Sequence, residues 1–394
     1  MKALQFDRKP LRYAAAFVAG SLAPGAGAGP GPLTLVDVDS PHLPSGCWSR
    51  IRPRLAGICG SDLTTVDGRS SRYFEPIVSF PFTPGHEVVA DTDDGRRVVL
   101  EPVLGCVARN VAPPCAACQR GDLGNCERIA FGDLQPGLQS GFCCDTGGGW
   151  STAMIAHESQ LHPVPDEMSD EGAVMVEPSA CAVHAAFRAE IEPGAAVAVI
   201  GAGTLGLATI AAVRHFTPVG TLLAGARYPE QMRVARSLGA DAVVQPHELV
   251  RLVRRATSSL AVGQQLTGGC DVVIDCVGTE ASITEALAMV RPRGRVVLVG
   301  MPATVKLSLT TLWHRETEMC GAYAYGTETL ANGDRRRTFD LAFELVAAAN
   351  LGTLVSATYP LADYRRAIEH AASAGRRGGV KIAFDLRNEK ERNR

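Results

Sequence analysis

Ala195-Ala196-Val197-Ala198-Val199-Ile200-Gly201-Ala202-Gly203-Thr204-Leu205-Gly206 is the stretch that decides the fold. The apolar run Ala195–Ile200 suits a strand of a parallel sheet, covered on both faces. The G-x-G-x-x-G that follows directly is the spacing of a dinucleotide loop, in the strand-to-helix context it requires. Gly201 allows the tight turn, Gly203 lets a pyrophosphate approach the backbone, and Gly206 permits close helix–strand packing. Thr204 and Leu205 open a helix whose N-terminus faces the phosphates.

Downstream, strand and helix patterns alternate. Thr221–Ala226, Ala242–Val244, Asp271–Cys276 and Arg295–Gly300 are expected strands, and Thr204–His215, Pro229–Leu238 and Ser282–Val290 expected helices. This pitch predicts a doubly wound α/β domain over about 182–325. Past residue 330 come a helical stretch, Asp340–Ala349, and an expected strand, Val380–Asp385. The segment 326–394 is expected to return to the first domain. Upstream, Val88–Ala90 and Arg97–Leu100 read as short strands. Residues 21–32 (SLAPGAGAGPGP) read as a flexible loop. Residues 101–150 are dense in Cys, Gly and Pro and read as loops held by a metal.

A chain of 394 residues is too long for one ordinary core and implies two domains. The net charge of −2, without basic clusters, gives no sign of nucleic-acid or membrane binding. Tyr13–Gly20 is apolar but too short for a secretory signal, and no run of about twenty apolar residues suggests a span. Twelve cysteines in a large chain without a signal point to metal binding and reduced thiols, and so to the cytoplasm.

Ahead of the nucleotide loop lies an ordered set of metal-ligand residues. Cys59 sits in Gly57-Ile58-Cys59-Gly60-Ser61-Asp62, His86 and Glu87 in Pro84-Gly85-His86-Glu87, and Glu177 in Val176-Glu177-Pro178. A thiolate, an imidazole and carboxylates suit zinc with one position open for chemistry. With these motifs the sequence resembles, over nearly its whole length, the zinc-dependent medium-chain dehydrogenases of the alcohol, sorbitol and threonine dehydrogenase group.

The resemblance implies an α/β architecture: a GroES-like, mostly-β catalytic domain (1–181, with a structural zinc lobe at about 101–130), a Rossmann domain and a cleft between them. It implies reversible oxidation of a primary or secondary alcohol. Cys59 and His86 would hold a catalytic zinc, with Glu177 third, directly or through water, and Glu87 exchanging onto the metal or beside it. Ser61 matches the family's relay hydroxyl and Asp62 an acid that orients His86. Thr64 stands where some members carry a relay histidine. Side chains near Thr64, Phe82, Phe142 and Trp150 are expected around the substrate. A homodimer or homotetramer is implied.

Cys106, Cys115, Cys118 and Cys126 read C-x8-C-x2-C-x7-C. The last two gaps match the family's structural zinc lobe. The first is longer, which reads as a loop insertion, Val107–Pro114. Cys47, Cys143, Cys144, Cys181, Cys270, Cys276 and Cys320 lack ligand spacing and read as packing residues. No acid occurs from Gly201 through Pro229; Ala226 stands where NAD enzymes place one, and Arg227 follows. A small residue before Arg leaves room and charge for a 2′-phosphate and favours NADP over NAD. Val277, Val299 and Lys381 match positions near the nicotinamide and the pyrophosphate. Two alternatives predict different losses. A zinc-free quinone or enoyl reductase of the same superfamily would lack Cys59, His86 and the cysteine lobe. A non-catalytic dinucleotide-binding protein would keep the loop and degrade the metal site.

Overall fold

A computed structural model of the chain describes residues 1–44, 46–263 and 265–388. It divides into two units, Met1–Glu177 with Asn350–Arg394, and Pro178–Ala349. Residues 326–349, expected in the returning tail, therefore lie in the second unit. A hairpin (Thr327–Thr329 with Arg335–Arg337) and the helix Thr338–Ala348 fill that segment, and this helix packs on the helix Thr204–Phe216.

The second unit is built on a sheet that is six-stranded among the described residues. Its spatial order is Ala242–Val244, Thr221–Gly225, Ala196–Ile200, Cys270–Asp275, Val290–Leu298 and Glu318–Gly321. Every neighbouring pair is parallel. In chain order this is 3-2-1-4-5-6, the doubly wound dinucleotide-binding arrangement. Val197, Ala198 and Val199 are fully buried, as an apolar run flanked by strands on both edges must be. One core cluster joins Ile200, Leu223, Val273 and Val296 to Leu249 and Val253, and to Ile283 and Leu287. Each helix so engaged presents its apolar residues three or four apart.

The first unit centres on a mostly antiparallel sheet around the strand Trp48–Gly57. That strand pairs with Val88–Thr92, Met154–His157 and Lys381–Asp385. The tail thus completes this sheet, and Ala383 and Phe384 are fully buried within it.

Two features depart from expectation near the N-terminus. A helix, Pro10–Leu22, spans the apolar run Tyr13–Gly20, for which the sequence pattern suggests no element. Proline suits its first position, where an N–H would have no acceptor within the helix. Residues 21–32 are not a free loop. Ala26–Ala28 form a 3₁₀ turn, and the Gly25 and Gly27 amides donate to the buried Asp67 carboxylate at 2.8 and 3.0 Å. A Cβ at Gly27 would run into the Val66 backbone, so small residues serve close packing there.

Candidate functional site

Cys59 follows the central strand and N-caps the helix Gly60–Val66. Its amide donates to Asp62 Oδ2 at 2.9 Å, so the local turn is fixed by the acid three residues on. His86 and Glu87 follow Gly85, whose φ of +98° and contact with the Trp150 side chain exclude a Cβ. Cys59 Sγ, a His86 ring nitrogen and a Glu87 carboxylate oxygen lie within 4.8 Å of one another. His86 and Glu87 are buried, and Cys59 is partly exposed.

The charges around this group are matched in pairs. Asp62 Oδ1 faces His86 Nδ1 at 3.5 Å, beyond a good hydrogen bond, and among the described residues neither atom has another hydrogen-bond partner. Burial disfavours the imidazolium, but the Asp62 and Cys59 charges outweigh it and hold the His86 pKa well above its usual value. Glu87 forms an ion pair with Lys381 Nζ, which also donates to the Ile58 carbonyl at 3.2 Å. Lys381, expected at a pyrophosphate, is instead 2% exposed inside the first unit. Gly57 makes room for this pair, since a Cβ there would strike the Glu87 carboxylate.

Glu177 is buried in the first turn of the helix Val176–Arg188 and is not part of the convergent group. Ser61 lies in the first turn of the Cys59-capped helix. The Thr64 hydroxyl donates back to the Gly60 carbonyl at 2.9 Å and is committed to that helix. Of the expected pocket aromatics, Phe142 has its ring centroid 5.9 Å from that of His86. Trp150 and Phe82 are core residues. Trp150 is wholly buried with its indole N–H on the Gly57 carbonyl, and Phe82 stacks on Phe6.

The four remaining ligand-type cysteines also converge. Cys106, Cys115, Cys118 and Cys126 place their sulfurs within 4.8 Å of one another. Cys126 Sγ lies 3.6 Å from Cys106 Sγ and 3.9 Å from Cys115 Sγ. A tetrahedron of sulfurs around zinc at about 2.3 Å has edges of about 3.8 Å, so the donor set has the right size. All twelve cysteines are free thiols. Burial opposes ionisation of Cys115, but backbone amides of Cys118 and Glu127 outweigh it and pull the thiol down to about 7. Burial pushes Cys118 and Cys126 up, the latter to about 11. A cation would have to displace those protons.

In the second unit, Gly201 has φ +90°, and a Cβ there would lie 2.6 Å from Val277 Cγ2. Gly206 packs against the Gly201 carbonyl, whereas nothing lies near a Cβ built on Gly203, the N-cap of the helix Thr204–Phe216. Ala226 is buried, with its amide on the Val244 carbonyl at 2.9 Å. Arg227 is exposed. Sequence reading missed Asp275. Fully buried, its Oδ1 accepts from the Val277 and Gly278 amides at 2.8 and 3.1 Å, and its Oδ2 from the Ser282 hydroxyl at 2.8 Å. Its own carbonyl accepts from the Val299 and Gly300 amides at 2.9 Å, so one residue fixes both strand-end loops.

A dinucleotide-type sheet in one unit, with two cysteine-containing metal-ligand groups in the other, defines a two-domain oxidoreductase class. Comparison with known proteins agrees. The family described as "Alcohol dehydrogenase GroES-like domain" matches residues 48–166, and "Zinc-binding dehydrogenase" matches 204–347. The chain belongs to the zinc-dependent medium-chain dehydrogenase family and is an oxidoreductase of that family. It is 26% identical to L-idonate 5-dehydrogenase of Vitis vinifera, over 86% of this chain and 87% of that one. It is 28% identical to sorbitol dehydrogenase of Arabidopsis thaliana, over 86% and 88%. Among solved structures, alcohol dehydrogenase TADH from Thermus sp. ATN1 superposes with TM-score 0.70 at 25% identity, covering 98% of this chain and all (100%) of that one. A protein of Sinorhizobium meliloti 1021 bound to NADP gives TM-score 0.70 at 22% identity, covering 98% of each chain. No helix among the described residues is long and apolar enough to cross a membrane.

Proposed function

We propose that this protein catalyses reversible hydride transfer between an alcohol and a nicotinamide dinucleotide, with chemistry at the Cys59–His86 group. The observation that carries this is the convergence of the Cys59 thiol and the His86 imidazole, with the Glu87 carboxylate beside them, within 4.8 Å, in a chain that also has the glycine loop. A zinc ion held there supplies Lewis-acid polarisation of the substrate oxygen, and the nicotinamide supplies hydride exchange.

Cys59 and His86 are the two firm ligands. Asp62 orients His86 through Nδ1, leaving Nε2 for the metal. Glu87 is committed to Lys381, which favours Glu177 as the third ligand, reached through a water, with Glu87 beside the metal. The Ser61 hydroxyl receives the alcohol proton and passes it toward solvent. Thr64 is held by its own helix, so the outer proton path runs through water. The Gly201–Gly206 loop binds the pyrophosphate, with Thr204 and Leu205 at the helix N-terminus. Val277 and Val299 support the nicotinamide from turns fixed by Asp275.

The substrate class we infer is a secondary alcohol on a polyol or sugar-derived chain, as the names of the relatives suggest. NADP is the favoured cofactor, because Ala226 leaves space and Arg227 is free to reach a 2′-phosphate. The outer edge of the strand Glu318–Gly321, unpaired among the described residues, with Trp313 80% exposed nearby in sequence, supports a homo-oligomer. The four-cysteine cluster holds a second, structural zinc.

Metal analysis with cofactor titration tests the whole. Two zincs per chain and tighter NADPH than NADH are expected. An Ala226→Asp variant should reverse the cofactor preference by at least about tenfold. Full alcohol oxidation by a zinc-free protein would overturn the mechanism. Tighter NADH in the wild type would overturn the cofactor choice alone.

A further inference from the structure

The helix Pro10–Leu22 has an outer face that the proposed chemistry does not use. Its inner face is already seated. Ala16 and Gly20 are buried, and a Cβ on Gly20 would lie 2.6 Å from Asp67 Cβ. Arg69 Nη2 donates to the Gly20 carbonyl at 3.1 Å, and a Cβ on Gly68 would lie 3.1 Å from the Tyr13 carbonyl. Small residues thus fix the helix on the segment 67–69, directly after the helix that Cys59 caps.

Large apolar residues point the other way. At about 3.6 residues per turn, Val18 lies about 200° round the axis from both Ala16 and Gly20, with Leu11 and Leu22 within about 40° of it. Leu11 is 89%, Val18 60% and Leu22 84% exposed. Leu11 and Leu22 are the two most exposed large apolar side chains among the described residues. Single exposed leucines are ordinary, but a line of three along one seated helix marks an interaction surface. Ala14 and Ala15 fill the gap between Leu11 and Val18, which completes the seam along which one helix packs on another.

Charge selects the occupant. The helix has no acid in its first turn and no base in its last. Arg12 stands in the first turn instead, exposed and without an ion pair among the described residues. Arg8 and Lys9, just before the helix, are paired with Glu75 and Asp7. A base at the positive end of the helix dipole is unfavourable for the helix alone, and favourable beside the carbonyl end of an antiparallel neighbour. A second copy of the same helix, related by a two-fold axis, brings that end to both Arg12 side chains at once. In that register Leu11 meets Leu22 of the partner subunit and Ala15 meets Val18 of the partner subunit, so small faces large. A helix that lies in a bilayer surface is rich in bases along its polar face, whereas Arg12 is the one base within this helix.

We propose that the outer face of the helix Pro10–Leu22 is a self-association surface, paired antiparallel with the same helix of a second copy. Two helices of 13 residues are small beside the about 1,200–2,000 Å² of a stable interface. The helix pair therefore joins copies already paired at the strand Glu318–Gly321, and the wild type is a tetramer. Only this count of four rests on the edge pairing proposed above.

The test is sedimentation velocity on the full-length, zinc-loaded protein. Val18→Asp should halve the mass while alcohol oxidation per chain stays within about twofold of wild type. Arg12→Glu should weaken the same association by at least about tenfold, yet leave the thermal midpoint unchanged or higher, because an acid suits a helix N-terminus. Leu260→Asp, at an apolar side chain 71% exposed in the other unit, is the control and should leave the mass unchanged.

A Val18→Asp variant of wild-type mass overturns the proposal, as does an Arg12→Glu variant that associates as tightly as wild type. Should Val18→Asp not fold, Leu22→Asp at the helix end takes its place with the same two readings. A dimeric wild type that Val18→Asp turns into a monomer supports the helix surface and removes the edge pairing instead. A monomeric wild type overturns the helix surface, and its binding to phosphatidylserine vesicles would make lipid the occupant.

Discussion

The group Cys59, His86 and Glu87 and the group Cys106, Cys115, Cys118 and Cys126 are both the size of a metal site, but they are built differently. The first draws three kinds of donor from two separated segments, and its charges are compensated by side chains, Asp62 and Lys381. The second draws one kind of donor from one stretch of chain, and backbone amides point at its sulfurs. The Cys115 and Glu127 amides lie 3.3 and 3.4 Å from Cys106 Sγ and Cys115 Sγ. A mixed set leaves a coordination position for a substrate, whereas four sulfurs close the shell. On the proposed function, the first is a place for chemistry and the second a staple.

That contrast can be broken at several points, in order of expected effect. Cys59→Ser should reduce alcohol oxidation by about a thousandfold or more while the lobe keeps its zinc, measured by steady-state kinetics beside metal analysis. Retained turnover would move the chemistry elsewhere. Cys126→Ser should do the reverse. It should lose the lobe metal and about 4 kcal/mol of stability in denaturant unfolding, with the folded fraction still active. If turnover fell more than stability, the lobe would not be a mere staple.

Lys381→Met sharpens the contrast on the catalytic side. It leaves the Glu87 carboxylate buried without its cation and should cost about 3–5 kcal/mol. Adding Glu87→Gln should recover most of that loss in a double-mutant cycle. Additive losses would mean that the two side chains are not coupled.

The smallest effect lies outside both groups. The hydrogen bond from Arg387 holds the Asp385 carboxyl below its ordinary 3.8, against a smaller opposing effect of burial. Its stabilisation is present above that ordinary value and is lost as the pH falls through the folded one. Because the pair lies at the surface and is partly solvated, Asp385→Asn should cost no more than about 1 kcal/mol near neutral pH. Acid unfolding should become slightly less steep.

The parallel sheet was legible because its strands are continuous apolar runs bounded by glycine, and the loop Gly201–Gly206 fixed where the first one ends. The two ligand groups were legible because cysteine and histidine in those contexts have few other uses. What stayed hidden depends on partners distant in the chain. Nothing in residues 21–32 announces that Asp67 pins them. Nothing near Lys381 names Glu87, 294 positions earlier, as its partner. The helix Pro10–Leu22 leaves Leu11 89% and Leu22 84% exposed, so it lacks the one-sided apolar pattern that marks a packed helix. Asp275 looks like an ordinary charged residue until the backbone groups it collects are in place.

Selective metal removal tests the division of labour most directly. A chelator series on the pure protein should first strip the zinc at Cys59 and His86, abolishing alcohol oxidation while the thermal unfolding midpoint barely moves. Harsher treatment should then strip the cysteine lobe and lower the midpoint. Loss of activity that tracks only the lobe zinc, or activity that survives with neither zinc bound, would contradict it.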